Sequence, residues 1–154
     1  MKLKIIDNNT IDNIHDITIE QLSTLNIKLN QEGQLNSRRF TVEETREQVR
    51  QWIDIIYALS EGQISWFIVW ENIRWSREYF SRWVYVCPEF RRRGIARLLK
   101  KEQISFVGEK YNPESIACDI HKDNKASLKL SKQLWFYIWA SKRWRDWLSW
   151  EYYF

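Results

Sequence analysis

Residues 83–99 constrain the fold more than any other part of the sequence. They read Trp-Val-Tyr-Val-Cys-Pro-Glu-Phe-Arg-Arg-Arg-Gly-Ile-Ala-Arg-Leu-Leu, so a β-branched strand ends at Pro88 and an arginine-rich turn leads into a helix after Gly94. The first N–H groups of a helix have no acceptor within it, and with the positive end of the macrodipole they form an anion site. The segment therefore predicts a strand–turn–helix unit that binds an anion, although composition alone equally allows an ordinary helix start beside a solvated basic turn.

The residue types in this turn favour a diphosphate as the anion. Gly94 has no Cβ, so a phosphate can approach the backbone there, and Ala96 keeps the next turn small. Arg91, Arg92 and Arg93 carry permanent positive charges, and each can donate two parallel hydrogen bonds to a phosphate.

Length and composition predict one domain that comprises residues 1–154. No internal repeat, low-complexity tract or Gly/Ser linker interrupts the 154 residues. The formal net charge of +4 favours an anionic ligand but is too small to indicate a nucleic-acid-binding protein. Tryptophan and arginine can also stack on bases, but the sequence has no basic-aromatic motif of a known nucleic-acid binder.

The termini and the two cysteines predict a cytoplasmic protein that does not enter a membrane. Residues 1–7 lack the apolar region of a signal peptide, and the longest apolar run, residues 64–70, is far too short for a membrane span. Cys87 and Cys118 cannot form a disulfide framework, so we expect reduced, mostly structural thiols.

Hydrophobic periodicity and capping residues predict a mixture of strands and helices. Thr41 and Glu44 form a capping box, behind which Val49, Trp52, Ile53 and Ile56 give an amphipathic helical stripe. Residues 26–40 are polar and are predicted to form a loop. The predicted strands are residues 3–6, 57–59, 64–70, 82–87, 114–121, 135–139 and 147–154, with a turn at Glu61-Gly62 and further helices near residues 14–25, after Gly94 and after the capping residue Asn124. This order predicts an α/β or α+β sheet that is covered on both faces.

The motif in residues 86–96 resembles that of the GNAT superfamily of acetyl-CoA-dependent N-acetyltransferases. In that family a strand ends in Val-x-Pro and is followed by Arg/Gln-x-x-Gly-x-Gly/Ala, which stands here as Val86-Cys-Pro88 and Arg91-Arg-Arg-Gly94-Ile-Ala96. Leu98-Leu99 and Asn124, thirty residues after Gly94, extend the resemblance over residues 57–136. The resemblance implies a GNAT fold, a splayed mixed β-sheet of about seven strands with helices on both faces.

The resemblance also implies where a cosubstrate binds. Acetyl-CoA, or another acyl-CoA, would enter a wedge between the fourth and fifth strands, and no metal would take part. Backbone groups of Val84, Tyr85 and Val86 would bind the pantetheine arm and the acyl carbonyl, and Asn124 with Ser127 beside it would contact the same arm. The N–H groups of residues 92–96 would hold the pyrophosphate in a segment that we call the pyrophosphate loop, which consists of Arg91, Arg92, Arg93, Gly94, Ile95 and Ala96.

Three positions depart from the family's pattern and bear on catalysis. Ser131 stands where the family's tyrosine can protonate the leaving thiolate. Arg82 stands where many members have a glutamate on the fourth strand, and arginine cannot act as a base. Asp119 stands where members that act on protein N-termini have a glutamate, so Asp119 is the candidate general base and Ser131 the candidate proton donor. Alternatively, Asp119 is a strand-end carboxylate paired with Lys122, and His121, on the same side of the strand, is a second candidate base.

Ten aromatic residues lie between positions 135 and 154. They can fill the core, form a slot for an acyl chain longer than acetyl or for an aromatic acceptor, or form an exposed patch for a partner or a homodimer. Basic residues within this segment and before the capping box favour an acceptor that carries a carboxylate or a phosphate. They are Lys142, Arg143, Arg145, Arg38 and Arg39.

We therefore expect an enzyme that transfers an acyl group, acetyl by default, from CoA to an amine of a small molecule or peptide by direct attack. The absence of the tyrosine and of the fourth-strand glutamate leaves an alternative open. The chain would then be a CoA-binding or protein-interaction module of the same fold that is catalytically weak or inactive.

Overall fold

The computed structural model describes residues 3–32, 41–72, 77–139 and 146–154, and these residues form one seven-stranded sheet with four α-helices. The strands are β1 (Lys4–Ile6), β2 (Ile53–Ser60), β3 (Gln63–Asn72), β4 (Glu78–Val86), β5 (Ser115–His121), β6 (Tyr137–Trp139) and β7 (Trp147–Tyr153). The helices are α1 (Asp16–Glu32), α2 (Val42–Gln51), α3 (Ile95–Tyr111) and α4 (Lys125–Gln133). The strand order is β1-β2-β3-β4-β5-β7-β6, and β4 and β5 are parallel while the other neighbours are antiparallel. The predicted mixed sheet of about seven strands is confirmed.

Local sequence signals fixed several element boundaries. The Thr41 hydroxyl accepts from the Glu44 N–H at 3.1 Å, and the Glu44 carboxylate accepts from the Thr41 N–H at 2.9 Å, which completes the predicted capping box. Asn124 caps α4 by accepting from the Ser127 N–H at 3.1 Å. Glu61 and Gly62 have φ of 53° and 78°, the two left-handed residues of a tight hairpin turn between β2 and β3.

Several boundary predictions were wrong. β4 begins at Glu78 and not at residue 82, and β6 begins at Tyr137 and not at residue 135. The loop predicted for residues 26–40 begins later, because α1 continues to Glu32; residues 33–40 lie outside the described residues. The second helix ends at Gln51, so Ile53 and Ile56 belong to β2 and not to a helical stripe. Since β2 is paired on both edges and buried on both faces, its apolar run is nearly continuous, and such a run has no distinct period.

Two hydrophobic cores lie on opposite faces of the sheet. On the α3/α4 face, Leu99 and Val107 of α3 pack with strand residues such as Trp150. On the α1/α2 face, helix residues such as Ile19 pack with strand residues such as Phe67. Helices therefore cover both faces, as predicted, and because side chains alternate along a strand, each residue of β4 and β5 faces one core or the other. Among the described residues, no helix is both long enough and apolar enough to cross a membrane.

The sheet forks between β4 and β5. The two strands pair at three positions, Glu78↔Ser115, Tyr79↔Ile116 and Phe80↔Ala117. Beyond this point β4 continues along β3 to Val86, while β5 continues along β7 to His121. We call this opening the fork, and it corresponds to the wedge that the sequence predicted between the fourth and fifth strands.

The two cores make one testable prediction about stability. Trp150 is 1% exposed within the α3/α4 core, so Trp150→Ala should lower the free energy of unfolding by about 3–5 kcal/mol through lost burial and the cavity left behind. Trp135→Ala is the matched control, because this indole is 75% exposed and its removal should cost less than about 0.5 kcal/mol. Urea denaturation followed by circular dichroism measures both values. Equal losses in the two variants would contradict the assignment of Trp150 to the core.

Candidate active site

The pyrophosphate loop connects β4 to α3 and adopts a backbone that suits an anion. Arg92 and Gly94 have φ of 64° and 79°, so the loop contains two left-handed residues within three positions. Turns that alternate right- and left-handed residues direct successive N–H groups into a concave site for anions. The carbonyl of Gly94 accepts the N–H of Leu98, which makes Gly94 the N-cap of α3 and directs the first N–H groups of the helix toward the loop.

Gly94 borders open space. A Cβ built on this residue would have no heavy atom within 4 Å, so the protein itself does not crowd the position. The three arginines of the loop are exposed, and the Nε–H of Arg91 donates to the carbonyl of Val86 at 2.9 Å, which holds this side chain against the end of β4. The loop can therefore accept a diphosphate from the solvent side with both backbone and guanidinium donors.

The predicted pantetheine-binding residues lie on the part of β4 beyond the fork. Val84 and Val86 pack against the α3/α4 core, while Tyr85 is buried on the α1/α2 face and stacks on Phe67 at 5.7 Å between ring centroids. Asn124 and Ser127 lie at the start of α4, directly after β5. The oxygen of Asn124 is used as the helix cap, so its amide nitrogen is the group that can donate to a ligand.

Four polar side chains meet at the base of the fork on the α3/α4 face. Ser81 and Cys118 are the first residues of β4 and β5 beyond the last paired position. The Nζ of Lys100 donates to the Oγ of Ser81 at 2.6 Å, and Ser131 of α4 forms a hydrogen bond with the thiol of Cys118. We call these residues, Ser81, Lys100, Cys118 and Ser131, the fork cluster.

The fork cluster is buried, and burial sets its titration. Lys100 is 6% exposed, and desolvation lowers its pKa, although the nearby Cys118 thiolate would oppose that change. Burial raises the pKa of Cys118, and Lys100 and the hydrogen bond with Ser131 reduce this rise. The sequence predicted Ser131 as a proton donor, and the fold brings its hydroxyl to the base of the fork.

Asp119 lies on the opposite, α1/α2 face of β5. Its side chain is exposed, and its Oδ1 accepts from the Oγ of Ser149, the residue opposite it on β7, at 2.5 Å. The alternative ion pair with Lys122 is not formed, because the Nζ of Lys122 contacts Asp146 at 2.6 Å instead. The carboxylate is therefore held in place by a hydroxyl rather than neutralised by a lysine.

His121 lies on the same face as Asp119, two residues further along β5. Its ring meets Trp147 edge-on at 5.4 Å between centroids, and its Nδ1 accepts from the Asp123 N–H at 3.3 Å. These contacts fix the orientation of the imidazole. His121 is therefore placed near the same opening as Asp119, as the alternation along the strand predicted.

Arg82 occupies an irregularity in β4. The register between β3 and β4 shifts at Val69/Trp70, so Arg82 is the extra residue of a bulge. Its Nε and Nη2 donate to the two carboxylate oxygens of Glu71 on β3 at 2.6 and 2.7 Å. A carboxylate thus lies near the position where many relatives have a glutamate, but it comes from the neighbouring strand and is bound to an arginine.

Sequence reasoning missed Glu71, Lys100 and Gln103. The sequence alone could not assign Glu71 to the site, because it lies beside Arg82 only through the pairing of β3 with β4. The signal for the other two was present, since Leu99, Lys100, Gln103 and Val107 are spaced as one face of a helix and are all buried. Leu98, which the sequence places beside Leu99, is 37% exposed and lies outside this buried face.

The aromatic C-terminal residues divide between the core and the surface. Trp150 and Phe136 are buried, whereas four others are at least 49% exposed, namely Trp135, Tyr137, Tyr153 and Phe154. The basic residues at 38, 39, 142, 143 and 145 lie outside the described residues. Within the described ranges, no group of three or more His, Cys, Asp or Glu side chains is arranged to hold a metal ion.

Solved structures share this fold over nearly their whole length. The PaiA N-acetyltransferase of Thermoplasma acidophilum, in complex with coenzyme A, is 14% identical, with full coverage of both chains and a TM-score of 0.68. An acetyltransferase of the GNAT family from Streptococcus pneumoniae is 13% identical over 99% of each chain, with a TM-score of 0.76. The ribosomal-protein-alanine N-acetyltransferase of Brucella melitensis is 18% identical with full coverage of both chains and a TM-score of 0.68.

The sequence itself matches a family model. No curated protein matches the chain, but the model of the acetyltransferase (GNAT) family matches residues 23–136, which is more than half of its length and includes the pyrophosphate loop, the fork cluster and Asp119. The chain therefore belongs to the acetyltransferase (GNAT) family and is an acyl-CoA-dependent N-acyltransferase.

Proposed function

We propose that this enzyme moves an acyl group through the fork, with the coenzyme on the α3/α4 face and the amine on the α1/α2 face. The observation that carries the proposal is that the fork opens directly beside the pyrophosphate loop. Beyond Phe80 the edge of β4 that faces β5 has left the ladder, so an extended ligand can lie along it and offer hydrogen-bond partners. A pantetheine arm contains amides that can supply those partners.

The coenzyme contacts follow from this arrangement. The N–H groups of residues 92–96 and the side chains of Arg91, Arg92 and Arg93 hold the pyrophosphate. Backbone groups of Val84, Tyr85 and Val86 hold the pantetheine arm and the acyl carbonyl. The amide nitrogen of Asn124 donates to the same arm, with Ser127 beside it. Four of these groups are fixed by contacts already described: the cap at Gly94, the Arg91–Val86 hydrogen bond, the Tyr85–Phe67 stack and the Asn124 cap.

The reaction needs a base for the amine. An alkyl amine with a pKa near ~10.4 is neutral in roughly one molecule per few thousand at pH 7, and a positioned base is worth typically 10²–10⁴-fold in rate. Asp119 is the candidate, because its exposed carboxylate lies on the open face and Ser149 binds one of its two oxygens. Asp119 is short, so we assign it a bridging water. His121 is the second candidate on the same face.

The transfer step then balances as follows. The neutral amine nitrogen attacks the thioester carbonyl, a C–N bond forms, and the C–S bond breaks. The proton lost by the amine goes to Asp119 through water. The departing thiolate takes a proton from water, either directly or through the Ser131 hydroxyl, which gives up one proton and receives another from that water. Ser131 is suited to this role by its place in the fork cluster, on the side opposite Asp119.

The acceptor is a primary amine of a small molecule or a peptide, and the compartment that we propose is the cytoplasm, where Cys87 and Cys118 stay reduced. The exposed aromatics of β6 and the C-terminus are a candidate homodimer contact. A second function, a coenzyme-binding module without catalysis, is favoured by one observation. Glu71 is tied to Arg82, so it cannot readily accept a proton. Release of free thiol from acetyl-CoA over a panel of amines separates the two functions.

Gly94→Glu tests the pyrophosphate loop. The new side chain would place a negative charge against the diphosphate, so the Kd of acetyl-CoA measured by calorimetry should rise at least tenfold, about 1.4 kcal/mol. Gly62→Glu is the matched control, because Gly62 has nearly the same φ of 78°, has equally open surroundings and lies in the hairpin between β2 and β3. Unchanged affinity in a folded Gly94→Glu variant would remove the loop from the site.

Asp119→Asn tests the general base. We expect kcat/KM to fall by about 10²-fold or more at pH 7 while the affinity for coenzyme changes little, because the amide cannot accept the proton. The loss should shrink as the pH rises toward ~10, because a growing fraction of the amine is then already neutral. Asp146→Asn is the control for a nearby exposed carboxylate that pairs with Lys122. A loss of the same size at every pH would assign Asp119 a structural role, and full activity would move the assignment to His121.

A further inference from the structure

Lys100 is a buried lysine without a counter-ion. Its ammonium donates to the neutral hydroxyl of Ser81 at 2.6 Å and lies 5.3 Å from the ring centroid of Phe136. No carboxylate forms an ion pair with it in the part of the chain that the structure describes. An ammonium buried in this way is costly, because the hydroxyl and the ring recover only part of its lost hydration.

Gln103 adds a second unsatisfied group beside Lys100. It follows one turn later on the same buried face of α3, and its side chain is completely buried. Neither its amide oxygen nor its amide nitrogen has a hydrogen-bond partner among the described residues. Buried amide groups nearly always form hydrogen bonds. A lysine without an ion pair, one turn before an amide without a hydrogen bond, therefore indicates that a ligand group completes this site.

The position of Lys100 indicates which part of a ligand would reach it. Lys100 is anchored at Ser81, at the closed end of the fork, whereas the proposed acyl carbonyl lies near Val84, three residues further along β4. Because Arg82 is the extra residue of the β4 bulge, this stretch lies opposite only two residue steps of β3, which span about 7 Å. The group at Lys100 is therefore the far end of a short acyl chain and not the thioester.

We propose that the enzyme uses an acyl-CoA whose acyl chain ends in a carboxylate, and that Lys100, with Gln103 beside it, binds that carboxylate. A monoacyl thioester of a short dicarboxylic acid, such as succinyl-CoA, places the required negative charge at the end of a short chain. This inference rests on the proposed placement of the coenzyme in the fork. It makes Lys100 a specificity-determining residue, because an ammonium pairs with a carboxylate but offers nothing to a methyl group.

The chemistry of transfer is unchanged by this choice. The amine nitrogen forms a bond to the thioester carbonyl, the C–S bond breaks, and the product is an amide that carries a free carboxylate at its other end. The terminal carboxylate takes no part in bond making. The acceptor amine therefore exchanges a positive charge for a negative one, a change of two units that acetylation does not produce.

Calorimetry with two four-carbon thioesters tests the proposal. Succinyl-CoA and butyryl-CoA have the same chain length and differ in a terminal carboxylate or methyl group. We expect the unaltered protein to bind succinyl-CoA at least tenfold more tightly. Lys100→Met keeps the length of the side chain without its charge and should abolish or reverse this preference. Lys101→Met, which removes the exposed neighbouring charge on α3, should preserve it.

Each outcome is decisive. If the unaltered protein prefers butyryl-CoA, or binds both thioesters equally, the proposal is overturned without any variant. The test therefore remains decisive even if the Lys100→Met protein does not fold. A preference that survives Lys100→Met also overturns the role of this lysine. Acylation of Lys100 itself, detected by mass spectrometry of tryptic peptides, would make it an acceptor and not a specificity residue. If neither thioester binds, the placement of the coenzyme in the fork fails, and that result is distinct from a loss of preference.

Discussion

The central constraint on this molecule is the edge of β4 that faces β5. Up to Phe80 that edge is paired with β5, and beyond it β5 is held along β7 while β4 stays with β3. Backbone groups that leave a ladder must find other partners. The fork is thus the part of the sheet where β4 and β5 are not paired. The pyrophosphate loop follows one of these strands, and the fork cluster and Asp119 lie just beyond the last paired position. A fully paired sheet would leave this fold without a binding cleft.

The parts of the fold that sequence could predict are those set by local chemistry. Thr41 with Glu44, Asn124 and Glu61-Gly62 each act within four residues, so their caps and turn could be assigned correctly. The end of α2 could not, because Ile53 and Ile56 have a helical spacing and their strand state depends on pairing with β1 and β3. The boundary between α2 and β2 therefore depends on strands that are distant in the sequence.

The same division applies to the site. The pyrophosphate loop is a contiguous motif, so its turn and the helix start at Gly94 were recognisable from the sequence. Glu71 was not, because its role comes from Arg82, eleven residues away on another strand. The helical spacing can indicate that Lys100 is buried, but not that it meets Ser81, nineteen residues away on another element. Asp119 and Ser131 were named from a resemblance, and the fold adds that they lie on opposite faces of β5.

The fork also has a consequence for the lifetime of the protein. Three paired positions join β4 to β5, so the coenzyme, bound as proposed, would bridge two halves of one sheet and act as a structural part of it. A ligand that binds the native state alone stabilises it by about 2.7 kcal/mol at a hundred times its Kd. The supply of acyl-CoA would then set how often the two halves separate, and with it the exposure of this edge to proteases and to aggregation.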